Sequence, residues 1–362
     1  MTSQAQAPAQ ADTLAMEAIS LHKDFRLGRR NVLHAVRDVS FELHRGKVVA
    51  LVGESGSGKS TVARLLAGQE TLTSGSINLD GNPVDLSSRS AFRRHKSEVQ
   101  LVFQDPFSSL NPVHTVRYHL ERPVRLHQDK TGDELHREVT SLLTQVRLTP
   151  AEQYLSKYPH ELSGGQRQRV SFARALAARP SVLLADEPVS MLDVSIRLEM
   201  LSLLDDLRKR FRLALLYITH DIASARYFAD EVLVMYAGEV VERGPAEELT
   251  QQPAHPYTQL LVSSAPDPDN LGSALRDSAR RAKAAQAAAA AAGGAPAGVP
   301  VASAGAAPDA GCPFSPRCPF ADDRCRSEDP ALQLVSAGRT AACWHLDVAA
   351  PEVLNRSQGG GD

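Results

Sequence analysis

Gly53-Glu54-Ser55-Gly56-Ser57-Gly58-Lys59-Ser60 follows an apolar run, Lys47-Val48-Val49-Ala50-Leu51-Val52, and leads into a segment with Val62, Leu65 and Leu66 on one helical face. The octet fits G-x-x-x-x-G-K-[ST], and a strand before it with a helix after it is the setting in which that pattern cradles a triphosphate. A loop that packs on phosphates must bring several backbone N–H groups to one point. Gly53, Gly56 and Gly58 allow this because they lack Cβ atoms and tolerate positive φ. The loop opens a helix whose N-terminal dipole favours an anion, and Gly68 supplies its C-terminal cap. Lys59 is expected to reach the β- and γ-phosphates, Ser60 to ligate Mg2+, and Thr61 to add a hydroxyl donor.

A second apolar run, Ser181-Val182-Leu183-Leu184-Ala185-Asp186-Glu187-Pro188, ends in two acids. In open parallel sheets nucleotides sit at the C-terminal strand edge. Asp186 is therefore expected to hold Mg2+, and Glu187 to act as general base on the water that attacks the γ-phosphate. Further strand-like runs cover 213–218 and 232–235, while Ile196, Met200, Leu203 and Leu207 recur at helical spacing. Such alternation predicts an α/β domain ending near Ala265. Residues 106–180 lack strong strand runs and read as a helical subdomain inserted between core strands.

Composition narrows the class. The 362 residues leave room for one large domain with an appendage, or two modest ones. A net charge of −2 gives no global basic field to direct the chain to nucleic acid. No unbroken apolar run reaches the roughly 18 residues a membrane span needs. Residues 1–16 are Ala- and Gln-rich, without the basic start and apolar core of a secretory signal, and read as a disordered lead. Cytoplasmic residence is the expectation, where four cysteines serve as reduced thiols or metal ligands rather than disulfides.

Leu162-Ser163-Gly164-Gly165-Gln166 opens a helix carrying Val170, Ala173 and Leu176. With this string beside the phosphate loop, the chain resembles the nucleotide-binding subunits of ABC transporters, whose signature sequence it matches. The resemblance implies a P-loop NTPase core of ABC type with an inserted helical subdomain and a small Cys-rich C-terminal module. It implies that Ser163, Gly164, Gly165 and Gln166 complete the ATP site of a second cassette, so that ATP glues a homo- or heterodimer. Gln104 matches the Q-loop glutamine, near Mg2+ and the membrane-subunit contact. His220 matches the switch histidine on the γ-phosphate, Asp193 of Ser190-Met191-Leu192-Asp193 the D-loop aspartate, and Phe25 the aromatic that stacks on adenine. Implied partners are two integral membrane permease subunits and, indirectly, an extracytoplasmic solute-binding protein, with the chain peripheral on the cytoplasmic face of the inner membrane.

The last third narrows the family. Pro253-Ala254-His255-Pro256-Tyr257-Thr258-Gln259-Leu260-Leu261 resembles the oligopeptide/dipeptide branch of importers; its residues alone say only a turn and a short helix starting at Pro256. The expected function is ATP hydrolysis powering import of oligopeptides or dipeptides. Nickel, glutathione and oligosaccharides are cargoes of the same branch. A soluble ABC ATPase on ribosomes or DNA is a second class, usually marked by two cassettes or a coiled-coil insertion, and neither is seen. A third reading is a redox-regulated binding subunit. Cys312, Cys318, Cys325 and Cys343 follow C-x5-C-x6-C-x17-C, wider than a zinc ribbon. They suit a [4Fe–4S] cluster, zinc with His345 as alternate ligand, or four unligated thiols. The expected boundaries are a core over 17–265, an Ala/Gly/Pro-rich linker over 266–311, a cysteine module over 312–346 and a tail over 347–362. The long linker suggests a loosely tethered module.

Overall fold

The structure, a computed structural model, describes residues 13–28, 32–105, 109–265 and 310–350. The chain divides into two compact units. One takes the residues up to Leu21, Asp38–Val49 and Ala63–Tyr217; the other takes His22–Arg37, Ala50–Val62 and the residues from Ile218 onward. Strands β1 (Leu14–Arg26), β2 (Val32–His44) and β3 (Val48–Val52) each begin in one unit and end in the other. Strand β1 begins at Leu14, and Ala15 and Met16 are buried, so ordered structure starts inside the stretch read as a disordered lead. The linker expected over 266–311 lies outside the described residues except for 310–311.

In the first unit, β4 (Ser74–Leu79) and β5 (Asn82–Pro83) extend β1 and β2 in the order β2-β1-β4-β5. Strands β6 (Val99–Val102), β7 (Val182–Asp186) and β8 (Ala214–Thr219) follow the order β8-β7-β6. Strands β6 and β7 are parallel, with Val99 opposite Val182 and Val102 opposite Ala185. Every residue of β7 and β8 is buried, as a parallel sheet covered on both faces requires, which is why these segments read as unbroken apolar runs. Between β6 and β7 the described residues form helices Val116–Gln128, Gly132–Gln145, Glu152–Leu155 and Gly164–Leu176. Val116, Leu120 and Val124 bury one face of the first, and Leu135, Val139 and Leu142 one face of the second, at helical spacing. Thr115 caps the first, its Oγ1 accepting the Tyr118 N–H.

In the second unit, β9 (Glu231–Tyr236) and β10 (Glu239–Pro245) form an antiparallel hairpin. Its Ala237-Gly238 turn has φ of 47° and 94°, the left-handed pair of a tight hairpin. Strand β11 (Gln333–Ser336) pairs antiparallel with β12 (Arg339–Ala341), and β12 pairs with β10 through Glu242 opposite Ala341 and Arg243 opposite Thr340. The order is β11-β12-β10-β9-β3. The cysteine module is thus built into the sheet of this unit, which corrects the expectation of a loose tether.

A buried carboxylate secures the join. Glu242, 1% exposed, accepts the N–H groups of Ala254 at 2.9 Å and His255 at 2.8 Å. The guanidinium of Arg339, itself buried, lies 3.3 Å away and also donates to the Gln252 carbonyl. Burial pushes the Glu242 carboxyl up, against the hydrogen bonds and the Arg339 charge, which hold it down. Ala254, Val335, Ala341, Cys343 and Leu346 close an apolar cluster beside it.

Candidate nucleotide site

The phosphate loop lies in the second unit and is fixed by backbone crowding. A Cβ on Gly53 would stand 2.1 Å from the Met235 carbonyl oxygen, so strand β9 leaves no room for a side chain there. Gly58 has φ of +102°, and a Cβ on it would stand 2.2 Å from the Ala35 carbonyl oxygen. The β9–β10 turn braces the loop: Gly238 N–H donates to the Ser57 carbonyl at 3.0 Å, and Arg37 N–H donates to the Gly238 carbonyl at 2.8 Å.

Lys59 is 5% exposed and turns back over the loop. Its ammonium donates to the Gly53 and Glu54 carbonyls at 2.8 and 2.7 Å and to Ser57 Oγ at 3.3 Å. Ser60 and Thr61, in the helix Lys59–Leu66 that the loop opens, are half-buried, while Ser55 and Gly56 are exposed at the tip. Phe25, near the end of β1, is half-buried with the Lys23 ammonium 4.8 Å from its ring centre. His220 is exposed immediately after β8.

The acids lie in the first unit. Asp186 ends β7 and is 6% exposed. Glu187 follows with φ of +46°, a left-handed conformation that costs a non-glycine residue strain and is held by its neighbours. Its carbonyl accepts the Ser190 hydroxyl at 3.0 Å. Its side chain accepts a hydrogen bond from Gln104 Nε2 at 2.9 Å, so two residues 83 positions apart, picked out separately in the sequence, meet here. Ser163 caps the helix Gly164–Leu176 in a reciprocal box: its Oγ accepts the Gln166 N–H, and its N–H donates to Gln166 Oε1 at 3.0 Å. Asp193 is exposed at the start of helix Val194–Phe211.

Along β6, a cleft of about 360 Å³ is lined by Gln100, Phe103, Tyr118, Arg122, Leu126 and Arg174. Leu126 and Tyr118 are exposed, so the cleft offers apolar surface alongside its arginines.

Two contacts at the phosphate loop escaped sequence reasoning. The Glu54 N–H donates to Tyr257 Oη at 2.9 Å, and the Glu54 carboxylate takes two bonds from Arg317 at 2.8 and 2.9 Å. No periodicity links residues 203 and 263 positions apart; the His-Pro-Tyr-Thr string was the one sequence hint, for Tyr257 alone.

The four cysteines of the module are free thiols, with Cys312, Cys325 and Cys343 buried and Cys318 half-buried. Cys312 N–H donates to the Cys325 carbonyl at 2.8 Å, and His345 N–H donates to Cys343 Sγ at 3.4 Å. Burial pushes the Cys312 and Cys343 thiols up to about 11, with the other cysteines adding to the rise. Cys318 and Cys325 are raised by burial as well. A bound cation would reverse that balance, because a coordinated thiol is deprotonated. Asp322 caps the Cys325 N–H at 2.8 Å and pairs with His345 at 3.0 Å, which accounts for the close grouping of Asp322, Cys325 and His345.

Comparison with known proteins identifies the family. A family model described as ABC transporter matches residues 36–190, and one described as oligopeptide/dipeptide transporter, C-terminal region, matches residues 241–325. The di/tripeptide transport ATP-binding protein DppF of Pseudomonas aeruginosa is 41% identical over 317 residues, covering 87% of this chain and 91% of its own. The dipeptide transport ATP-binding protein DppF of Haemophilus influenzae is 37% identical, covering 93% and 98%. Among solved structures, cbiO1 of Clostridium perfringens, part of an ABC transporter complex, aligns with a TM-score of 0.59 at 29% identity, over 67% of this chain and 92% of its own. A dimeric ATP-binding cassette bound to ADP and Pi aligns at 0.58 and 26% identity, over 64% and 99%.

Proposed function

The chain belongs to the ABC transporter family, as an ATP-binding and ATP-hydrolysing subunit of the oligopeptide/dipeptide branch, and we propose that it powers the import of short peptides. Its relatives named as dipeptide and di/tripeptide transport subunits support that cargo. In this reading two cassettes pair around ATP, each lending the helix end at Ser163, Gly164 and Gly165 to the other's nucleotide. A dimeric cassette among its structural relatives supports the pairing. No described helix is long and apolar enough to cross a membrane, and in this reading integral permease subunits form the pathway. The cleft along β6, with exposed Tyr118 and Leu126, is the surface we assign to them, which seats the chain on the cytoplasmic face of the membrane.

The chemistry is electrostatic positioning. Lys59 exchanges its bonds to the loop carbonyls for charge-assisted bonds to phosphate oxygens, which are stronger. Ser60, Asp186 and Gln104 would hold Mg2+, which neutralises charge on the phosphates. Glu187 takes the proton of the attacking water, and Gln104, bonded to it, orients the carboxylate. His220 and the partner's Ser163-type helix end contact the γ-phosphate, Asp193 faces the partner cassette, and Phe25 stacks on adenine. The observation that carries the catalytic assignment is the Gln104–Glu187 hydrogen bond at the end of β7. Glu187→Gln is expected to lower ATP turnover by about 10² or more while ATP binding persists. Turnover at the wild-type rate sinks the assignment.

We propose that Cys312, Cys318, Cys325 and Cys343 would hold a [4Fe–4S] cluster, a group that four cysteine thiolates ligate. Bound there, it ties three chain segments into one knot. Iron and sulfide analysis of anaerobically purified protein decides between the cluster, zinc and bare thiols.

A further inference from the structure

We propose that Arg317 is a positioning residue for the phosphate loop, and that the cysteine group flanking it tunes the loop's affinity for ATP through the Arg317–Glu54 pair. The second half rests on the metal-holding reading of the four cysteines.

Glu54 is the second residue of a loop that must receive a polyanion, and its carboxylate opposes that task. Arg317 cancels the charge: Nη1 donates to Oε2 at 2.8 Å and Nη2 to Oε1 at 2.9 Å, the parallel fork that fixes geometry as well as charge. The same residue is held through its backbone, since the Glu54 N–H donates to Tyr257 Oη. Tyr257 is fully buried, with its ring centre 4.6 Å from Tyr236 and 5.4 Å from Phe314. Over this aromatic platform lies the Arg317 guanidinium, 5.8 Å from the Tyr236 ring and 5.6 Å from Phe314.

Phe314 of this platform and the arginine both come from the segment between the first two cysteines, Cys312-Pro313-Phe314-Ser315-Pro316-Arg317-Cys318, while Tyr236 and Tyr257 come from β9 and the helix Pro256–Ser264. The cysteine-bounded segment is a tight turn. Ser315 N–H donates to the Cys312 carbonyl at 2.9 Å, Arg317 N–H to the Phe314 carbonyl at 2.9 Å, and Cys318 N–H to the Ser315 carbonyl at 3.4 Å. With Phe314 1% exposed and two rigid prolines in the turn, Cys312 and Cys318 bound a stiff segment that carries the guanidinium. A group that shifted the two sulfurs would in this way shift Arg317 relative to Glu54.

Full-length chain titrated with Mg-adenylyl imidodiphosphate by calorimetry, with iron content measured on each sample, tests this. Arg317→Gln is expected to weaken binding about tenfold at low salt and less at high salt, because a bare Glu54 carboxylate repels the triphosphate. Adding Glu54→Gln to that variant is expected to restore the wild-type affinity, a rescue that a purely structural role for Arg317 does not produce. Cys318→Ser is expected to lose iron and weaken binding as much as Arg317→Gln, with no further loss when the two are combined. Arg317→Gln that binds like wild type, or that Glu54→Gln fails to rescue, overturns the positioning role. Cys318→Ser that loses iron yet binds like wild type overturns the coupling. Wild-type chain free of iron overturns the cluster reading and with it the coupling, and the Arg317→Gln titration still decides the rest.

Discussion

Two arginine–carboxylate pairs join the cysteine module to the rest of its unit, and they are opposites in their surroundings. Arg339 and Glu242 are 3% and 1% exposed and sit among backbone N–H donors. Arg317 and Glu54 are 38% and 43% exposed and lie at the lip of the phosphate loop. A buried pair does not add much over apolar packing, but breaking it strands a charge away from water. An exposed pair contributes little and comes apart readily. The first therefore fixes the module in place, while the second is free to respond to events in the module without unfolding anything.

The contrast breaks most sharply at Glu242. Replacing it by alanine leaves Arg339 buried without its counter-charge and two N–H groups without an acceptor, a loss of about 3–5 kcal/mol in urea unfolding. A loss under about 1 kcal/mol would erase the distinction. Comparable in size at its acid limit is a pH effect at His255, which adjoins the buried pair. Burial lowers this imidazole from 6.5 to about 3, so it stays neutral in the folded chain. Its contribution is present above pH 6.5 and is lost as pH falls towards 3, with a slope of about 1.4 kcal/mol per pH unit. Burial raises Glu242 and acts in the opposite sense, so the difference between wild type and His255→Asn isolates the histidine. Asparagine can still cap helix Pro256–Ser264, where His255 Nδ1 now accepts the Tyr257 N–H. An acid slope unchanged in His255→Asn refutes the assignment. The smallest stability effect belongs to Arg317→Ala, about 0–1 kcal/mol in the same unfolding assay. A loss as large as that of Glu242→Ala would put both pairs in one class.

What the sequence revealed follows from how local each feature is. The phosphate loop, its strand and its helix are contiguous, so eight residues and their flanks suffice. The helix after Ser163 was legible for the same reason, although S-x-x-Q also encodes the capping box that ties Ser163 to Gln166. Glu242 was hidden by geometry. A register shift between Val240 and Glu242 breaks the alternation of β10, and a carboxylate that strict alternation would turn away from its buried neighbour Val241 is buried with it. Arg317 was hidden by distance, since a charge between two cysteines reads as part of a metal loop and nothing local points it at residue 54. The Gln104–Glu187 contact was not foreseen: Gln104 was read from a match to a known pattern and Glu187 from its place at the end of a strand.

The pairing of β12 with β10 also protects the protein from itself. Without the module, the outer side of β10 would present unbonded backbone donors and acceptors along Glu242 and Arg243, a template for strands of other chains. The strand that replaces it at the border, β11, is four residues long and broken by a register shift, a poor docking rail. The cysteine segment thus doubles as a selvedge, finishing the woven sheet so that neighbouring copies do not ravel into it.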